Sequence, residues 1–187
     1  IFFYDITNYE KLKDIYNNEK TCVAIINVDN YDELIASTTV GKRMTLSTEV
    51  DSIIRQWVAS IYGSINKLKD NVYIFYFENK YIEEMVASKF EILDKISQIE
   101  TEADFPLSLS IGVGLGGKTL FETEQYANAA LDLALGRGGD QAVVKRVEKI
   151  EYYGGKMQTV EKGNKGKSRV VAHALKQLID QSKTILI

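Results

Sequence analysis

Runs of apolar residues, separated by polar stretches, predict a mixture of strands and helices. The run at residues 21–28 is continuously apolar, which is typical of a strand buried on both faces. Apolar residues recur at helical spacing over residues 44–61 and again after Asn79, and each segment is predicted to be one amphipathic helix. Two short strands are predicted between them, at residues 64–68 and 72–77. The residues predicted to face the core from the two helices are Leu46, Val50, Ile53, Trp57, Ile61, Ile82, Val86, Phe90, Leu93 and Ile96.

The residues between these segments indicate how they are joined. Asp70 and Asn71 separate the two short strands and favour a tight hairpin, because both residue types tolerate positive φ. A later strand at residues 107–114 precedes a helix that is predicted to start with a capping box at Thr119 and to end at Gly136. The order is the ferredoxin-like β-α-β-β-α-β plan with additions. The predicted fold class is α+β, with a mostly antiparallel central sheet flanked by helices.

Composition and charge narrow the functional classes. The formal charge of −3 over 187 residues argues against a general affinity for nucleic acid. Cys22 is the only cysteine, so an internal disulfide is excluded, and its apolar neighbours predict a small buried side chain. No apolar run reaches the ~18–20 residues that span a bilayer, which predicts a soluble piece. Over residues 145–169 eight basic residues stand against three acidic ones, a bias that predicts an exposed linker or hairpin.

Several segments resemble the GGDEF domains of the nucleotidyl-cyclase fold. Residues 23–34, VAIINVDNYDEL, resemble the family's first strand and the turn after it, which typically read as apolar residues followed by D-x-D-x-F. Residues 108–114 resemble its later strand, and residues 126–144 its last helix and following strand. The segments YYGGK at residues 152–156 and KSRVVAHAL at residues 167–175 resemble one subgroup in particular, the GdpP/YybT-type cyclic-di-AMP phosphodiesterases.

This resemblance implies a domain organisation. The family carries two membrane helices, a PAS-like sensor, a degenerate GGDEF domain and a DHH/DHHA1 phosphodiesterase. Residues 1–20 would then lead in from the sensor, residues 21–153 would form the GGDEF-like domain, and residues 154–187 would be a linker, a helix and the truncated first strand of the DHH domain. We expect the chain to be a fragment of a longer polypeptide, cut at both ends. Its N-terminal helices would anchor it, with this domain on the cytoplasmic side of the cell membrane, and the manganese ligands of the DHH domain would lie outside this chain.

The resemblance also indicates that cyclase chemistry is lost. It assigns a metal-binding Asp to the position of Asn27 and retains the second Asp as Asp29. Residues 69–73 read KDNVY in place of GGDEF, so both glycines are missing and Val72 replaces an acidic ligand. Residues 35–49 supply no counterpart of the guanine-recognising Asn and Asp. Because phosphoryl transfer between nucleotides needs metal ions held by carboxylates, diguanylate cyclase activity is not expected.

A nucleotide-sized cleft is the feature predicted to survive. Asp29, Asn30, Asp70 and Asn71 are the candidate nucleotide-binding residues, and Asp29 and Asp70 are predicted to share one magnesium ion, because they end elements that are neighbours in this fold. The resemblance implies weak binding and slow hydrolysis of ATP. The alternative is that Asp29 and Asn30 cap a helix while Asp70 and Asn71 only turn a hairpin.

Other candidate residues have simpler interpretations. The glycine-rich segment at residues 136–139 follows a helix instead of opening one, so a helix C-cap is predicted there and not a phosphate loop. His173 is the only histidine and has no cluster of metal-ligating residues near it in sequence. A single histidine and no DHH motif also exclude hydrolysis of cyclic-di-AMP by this chain alone.

Two functional hypotheses follow from these residues. The first is a regulatory domain that binds a nucleotide and passes a signal from an upstream PAS-like sensor to a downstream DHH/DHHA1 phosphodiesterase. The second is a structural module with no ligand, which spaces its neighbours or forms a homodimer. Side chains that fill the space beside Asp29 would favour the second hypothesis.

Overall fold

The computed structural model describes residues 7–103 and 105–154 and places the predicted central strand in the middle of a sheet. The helices are α1 (Thr7–Glu19), α2 (Tyr31–Ser37), α3 (Val40–Ser60), α4 (Ile82–Ala87), α5 (Ile92–Ser97) and α6 (Leu120–Gly136), with a 3-10 turn at Asn79–Tyr81. The strands are β1 (Thr21–Val28), β2 (Ser64–Lys69), β3 (Val72–Glu78), β4 (Leu109–Gly114), β5 (Gln141–Lys145) and β6 (Ile150–Gly154). Predictions for residues 155–187, His173 among them, lie outside the described residues.

The sheet has the strand order β2-β3-β1-β4-β5-β6. Its first four strands reproduce the ferredoxin-like arrangement, with β1 antiparallel to both β3 and β4. Helix α6 crosses over to place β5 parallel to β4, and β6 returns antiparallel beside β5. The predicted α+β class and the mostly antiparallel sheet are therefore confirmed, whereas β6 was not predicted.

Apolar side chains fill both faces of the sheet. The larger core joins α3, α4 and α5 to one face, and the smaller one packs α6 against Val23, Ile25 and Ile74 on the other. Cys22 is buried as predicted, and burial raises the pKa of its thiol to about 12. Helix α3 begins at Val40, a turn earlier than predicted, and its inner face differs slightly from the predicted one. The predicted core residue Ile53 is only half-buried, whereas two residues of α3 that were not predicted, Ile54 and Val58, are fully buried.

The single helix predicted after Asn79 is wrong, because the segment is two short helices with a break between them. Lys89 and Phe90 adopt positive φ angles of 51° and 56°, which end α4 before α5 begins. The break lets Phe90 become fully buried, with its ring centroid 6.4 Å from that of Trp57. Burial of one aromatic side chain thus overrides a helical pattern of apolar residues.

The hairpin between β2 and β3 forms where it was predicted, but by a different backbone geometry. Asp70 and Asn71 occupy the turn, and neither has a positive φ. The pairing instead shifts register between Lys67 and Lys69, an irregularity that adds twist near the turn. The tolerance of Asp and Asn for positive φ is therefore not the reason for this hairpin.

Helix α6 begins with the predicted cap. The Thr119 hydroxyl accepts a hydrogen bond from the Glu122 N–H at 3.1 Å. The Glu122 carboxylate reaches back to accept from the Lys118 N–H at 2.7 Å, one residue before the position that a capping box uses.

Across residues 7–103 and 105–154, no helix is both long and apolar enough to cross a membrane.

The contact between α6 and β4 depends on two glycines. A Cβ atom on Gly112 would lie 2.3 Å from the Ala127 carbonyl oxygen and 2.3 Å from the Leu131 nitrogen. On Gly114 it would lie 2.0 Å from the Thr123 carbonyl oxygen. These distances are below any tolerable contact with backbone, so the helix lies directly on the strand.

The substitution Gly112→Ala is expected to lower the free energy of unfolding by about 2–3 kcal/mol, because α6 must move away from β4. Gly41→Ala is the matched control, since a Cβ there meets no atom within 4 Å. Alanine in helix α3 should instead raise stability by up to about 1 kcal/mol. Urea unfolding of both variants measures the difference, and equal stabilities would contradict the close packing.

Candidate functional site

The carboxylate of Asp29 is buried at the point where the central strand β1 ends. Its Oδ2 accepts hydrogen bonds from the hydroxyls of Ser108 at 3.0 Å and Ser110 at 3.1 Å. The backbone N–H of Asp140 donates to the same oxygen at 3.1 Å. One carboxylate oxygen therefore joins the end of β1 to β4 and to the residue that precedes β5.

Two asparagines continue this network toward the β2–β3 hairpin. The Asn27 amide donates to Asp29 Oδ1 at 3.2 Å, and its own oxygen accepts from the Asn71 amide at 3.2 Å. The backbone carbonyl of Asn71 accepts from the Val28 N–H at 2.8 Å. The turn of the hairpin is thus bonded to the end of β1 through neutral amide groups.

The loop between α6 and β5 approaches Asp29 closely enough to require glycine. Gly138 and Gly139 have φ angles of 108° and 80°, and the Gly139 N–H donates to the Ala134 carbonyl at 3.0 Å. This confirms the predicted helix C-cap at residues 136–139. A Cβ on Gly139 would lie 2.7 Å from Asp29 Oδ2, so a side chain at this position would displace the carboxylate.

The four predicted site residues have different environments. Asp29 is buried, and Asn71 is half-buried and bonded to Asn27. Asn30 and Asp70 are exposed. The structure therefore links Asp29 to Asn71 through Asn27, and it leaves Asn30 and Asp70 open to solvent.

The alternative interpretation of these residues is confirmed only in part. Asn30 occupies the N-cap position of α2 with a φ of 53°, but its side chain makes no capping hydrogen bond. Its backbone carbonyl accepts from the Leu34 N–H at 2.9 Å. Asp29 does not cap the helix, because its side chain is turned toward β4. The turn role of Asp70 and Asn71 is confirmed.

Residues that sequence reasoning missed complete the network. Ser108 and Ser110 donate directly to Asp29, and Asn27, which the sequence had indicated only as a replaced metal ligand, also donates to it. The signal was present in the sequence, since two serines two residues apart interrupt an otherwise apolar strand and so face the same side of it. Asp140 contributes through its backbone, which no residue pattern reveals.

The chemistry at this end of the sheet is mostly neutral. In the antiparallel register Asn27 pairs with Val72, so the two positions that the family resemblance assigns to acidic metal ligands lie opposite each other. Neither residue carries a charge. Among the described residues, no three His, Cys, Asp or Glu side chains lie together in a way that could hold a metal ion. Of the predicted site residues, two carry carboxylates: Asp29, whose Oδ1 accepts from the Asn27 amide, and the exposed Asp70.

Asp51, a carboxylate of α3, lies within ion-pair distance of the hairpin that carries Asp70. Arg55 Nε donates to Asp51 Oδ2 at 2.7 Å, and Lys67 Nζ lies 3.9 Å from Asp51 Oδ1. Burial opposes ionisation of Asp51, but the Arg55 guanidinium outweighs it and holds the pKa of this carboxyl below its usual value. Burial, with Asp51 beside it, raises the pKa of Tyr73 above its ordinary range. Tyr73 therefore stays neutral in the core of the hairpin.

Residues 26–152 match the family model described as "Cyclic-di-AMP phosphodiesterase GdpP-like, GGDEF domain". The match covers both the Asp29 network and the sheet around it. The chain belongs to this GdpP-like GGDEF family. The resemblance drawn from the sequence is confirmed.

Curated relatives support the same family. The chain is 33% identical over 188 residues to the cyclic-di-AMP phosphodiesterase GdpP of Bacillus subtilis (strain 168), covering 100% of this chain and 28% of the relative. It is also 33% identical to the cyclic-di-AMP phosphodiesterase PdeA of Listeria monocytogenes, with 100% and 29% covered. The chain therefore spans less than a third of the length of these relatives.

Solved structures show that the GdpP-like chain has the GGDEF fold. The GGDEF domain of DgcB from Caulobacter crescentus, solved in complex with c-di-GMP, has a TM-score of 0.57 and 15% identity over 74% of this chain and 87% of that one. The FimX GGDEF domain from Pseudomonas aeruginosa has a TM-score of 0.55 and 21% identity over 76% and 94%. At these identities the likeness concerns the fold alone.

Replacing Asp29 by Asn is expected to lower the free energy of unfolding of this GdpP-like domain by about 2–3 kcal/mol. All the partners of the Asp29 carboxylate are donors, so the NH2 group of the substituted amide would face another donor. The substitution also removes the negative charge that strengthens each of these hydrogen bonds. Asp70→Asn is the control, because an exposed turn residue should change stability by no more than about 0.5 kcal/mol. Equal stability of the two variants in chemical unfolding would show that the Asp29 network is not structural.

Proposed function

We propose that this chain is a regulatory domain of a longer cyclic-di-AMP phosphodiesterase and that it has no diguanylate cyclase activity of its own. The pairing of Asn27 with Val72 carries the proposal. A cyclase needs carboxylates at this point to hold the metal ions that activate the attacking hydroxyl and neutralise the phosphates. Here an amide and an isopropyl group stand in their place, and the amide is engaged in hydrogen bonds on both sides.

The wider proposal concerns the polypeptide to which this domain belongs. The names of the relatives and their greater length support a parent protein that hydrolyses cyclic-di-AMP with domains outside this chain. In that proposal manganese is bound by a DHH/DHHA1 domain, a PAS-like domain supplies the signal, and N-terminal helices anchor the protein at the cytoplasmic side of the membrane. This domain couples the sensor to the phosphodiesterase.

The proposed ligand of the regulatory domain is ATP with magnesium, which it would hydrolyse slowly. Asp29 Oδ1 and the Asp70 carboxylate would provide oxygen ligands for one Mg²⁺, which in proteins typically keeps several waters and binds one or two carboxylates and the phosphates. The exposed side chain of Asn30, at the start of α2, would contact the nucleotide. Asn71 would act indirectly, since its amide is bonded to Asn27.

The loss of cyclase activity predicts that purified domain incubated with GTP and either Mg²⁺ or Mn²⁺ forms no cyclic-di-GMP. The physical reason is that the carboxylates needed for two metal ions are missing at positions 27 and 72. Chromatography of the reaction mixture, with an active GGDEF domain as positive control, measures the product. A cyclic dinucleotide formed in proportion to the amount of domain would contradict the proposal.

For ATP binding, isothermal titration of Mg-ATP into the domain is expected to give saturable heat that Asp70→Ala weakens at least about fivefold, because a metal-bound carboxylate is lost. Asp70 is preferred to Asp29 for this test, since its side chain is exposed and its removal should not unfold the domain. Asp14→Ala is the matched control, because this exposed aspartate lies in α1, which leads into the start of β1, whereas Asp29 follows the end of that strand. Absence of heat with ATP and GTP would contradict nucleotide binding.

A structural module without ligand remains the second candidate, and one observation favours it. Asp29 Oδ2 already accepts three hydrogen bonds from the protein itself. A domain of this kind would bind no nucleotide, yet the phosphodiesterase activity of the parent would still change when the domain is removed. The titration above therefore separates the two candidates, while the cyclase assay is negative for both.

A further inference from the structure

An aromatic groove lies at the end of the sheet opposite Asp29. Thr21, the first residue of β1, pairs with Glu78, the last residue of β3, and both line this groove. Its volume is about 420 Å³, which lies within the range of small-molecule sites. Its aromatic lining consists of three tyrosines, Tyr62, Tyr76 and Tyr81, and Phe77.

Tyr62 has an unusual backbone conformation for its size. It follows the C-terminus of α3 with a φ of 53°, a place where glycine is the ordinary residue. Its side chain is 84% exposed, so burial does not explain why an aromatic residue is kept there. Instead its ring stacks on Tyr81, with centroids 5.8 Å apart and an angle of 30° between the planes. An exposed aromatic surface maintained against backbone strain indicates a binding role.

The charged residues of the groove show which ligand suits it. The Lys80 ammonium lies 5.1 Å from the centroid of the Tyr81 ring and pairs with the Glu78 carboxylate. A cation on an aromatic face beside a carboxylate is the arrangement by which proteins recognise organic cations. The protein's own lysine thus occupies a cation subsite on the rim of the groove.

We propose that this groove binds a small organic cation of the quaternary ammonium class. The methyl groups of such a cation would lie on the tyrosine faces, and Glu78 would provide the opposite charge. The ligand would displace the Lys80 ammonium from Tyr81. Unlike a primary ammonium, a quaternary one has no N–H to satisfy, so an aromatic face suits it better than it suits lysine.

The groove lies next to residues that are hydrogen-bonded to α1, so a bound ligand would affect that helix. The side chain of Asn79 donates to the Asn17 carbonyl near the end of α1 at 3.1 Å, and the Asn79 N–H donates to the Lys20 carbonyl at 3.0 Å. Asn79 lies between Glu78 and Lys80, the two charged residues of the groove. A ligand that rearranges this pair would therefore act on the segment that joins α1 to the sheet.

The test uses choline and its uncharged analogue of the same shape, 3,3-dimethyl-1-butanol, each titrated into the domain and followed by NMR shifts of the groove amides. Choline is expected to bind at least ten times more tightly than the alcohol. Tyr62→Ala should weaken choline binding roughly fivefold, the size of one exposed cation–π contact. Tyr9→Ala is the control, because Tyr9 is a similarly exposed tyrosine in α1.

Two further variants keep the test decisive. Glu78→Gln should weaken choline binding, and Lys80→Met should strengthen it, because the competing internal cation is removed. A gain of affinity is a result that misfolding does not produce. Equal binding of choline and the alcohol, or unchanged affinity in both Tyr62→Ala and Lys80→Met, would overturn the proposal.

Discussion

The buried carboxylate of Asp29 is the constraint on which this end of the sheet depends. A buried charge at the end of a central strand is tolerated only when it is hydrogen-bonded. Here Ser108 just before β4, Ser110 in β4, an amide from β1 and a backbone N–H before β5 donate to it. These donors come from segments that are distant in sequence, so the ends of three strands are fixed together. The close approach of the Gly139 backbone follows from the same requirement.

Under the proposed absence of cyclase chemistry, this network explains how the fold holds together at this end of the sheet without bound metal ions. The positions at residues 27 and 72 still face each other across β1 and β3, but they hold an amide and an aliphatic group. The amide joins Asp29 to Asn71, so hydrogen bonds link the end of β1 to the β2–β3 hairpin. In the proposed regulatory role, the fold is kept for its rigidity and its surfaces, and the two ends of the sheet have become chemically different. One end is a polar network, and the other is an aromatic groove.

Local signals in the sequence were sufficient for much of the fold. The apolar run of β1 and the capping chemistry of α6 act over a few residues, and both were predicted from residue types alone. The break at Lys89 and Phe90 was not predicted, because it results from burial of Phe90 against residues far along the chain. The candidate site shows the same limit. Asp29 was identified as important, but its partners Ser108 and Ser110 lie 79 and 81 residues away, and only the sheet brings them together.

The most direct test of the central claim is an NMR measurement of the hydrogen bond between the Asp140 N–H and the Asp29 carboxylate. In labelled domain, this bond should give a scalar coupling between the Asp140 nitrogen and the Asp29 side-chain carbon, and the amide proton should exchange slowly with solvent. This result would establish that the Asp29 carboxylate is a structural link between β1 and β5. Rapid exchange of the Asp140 amide and no coupling to Asp29 would contradict the account.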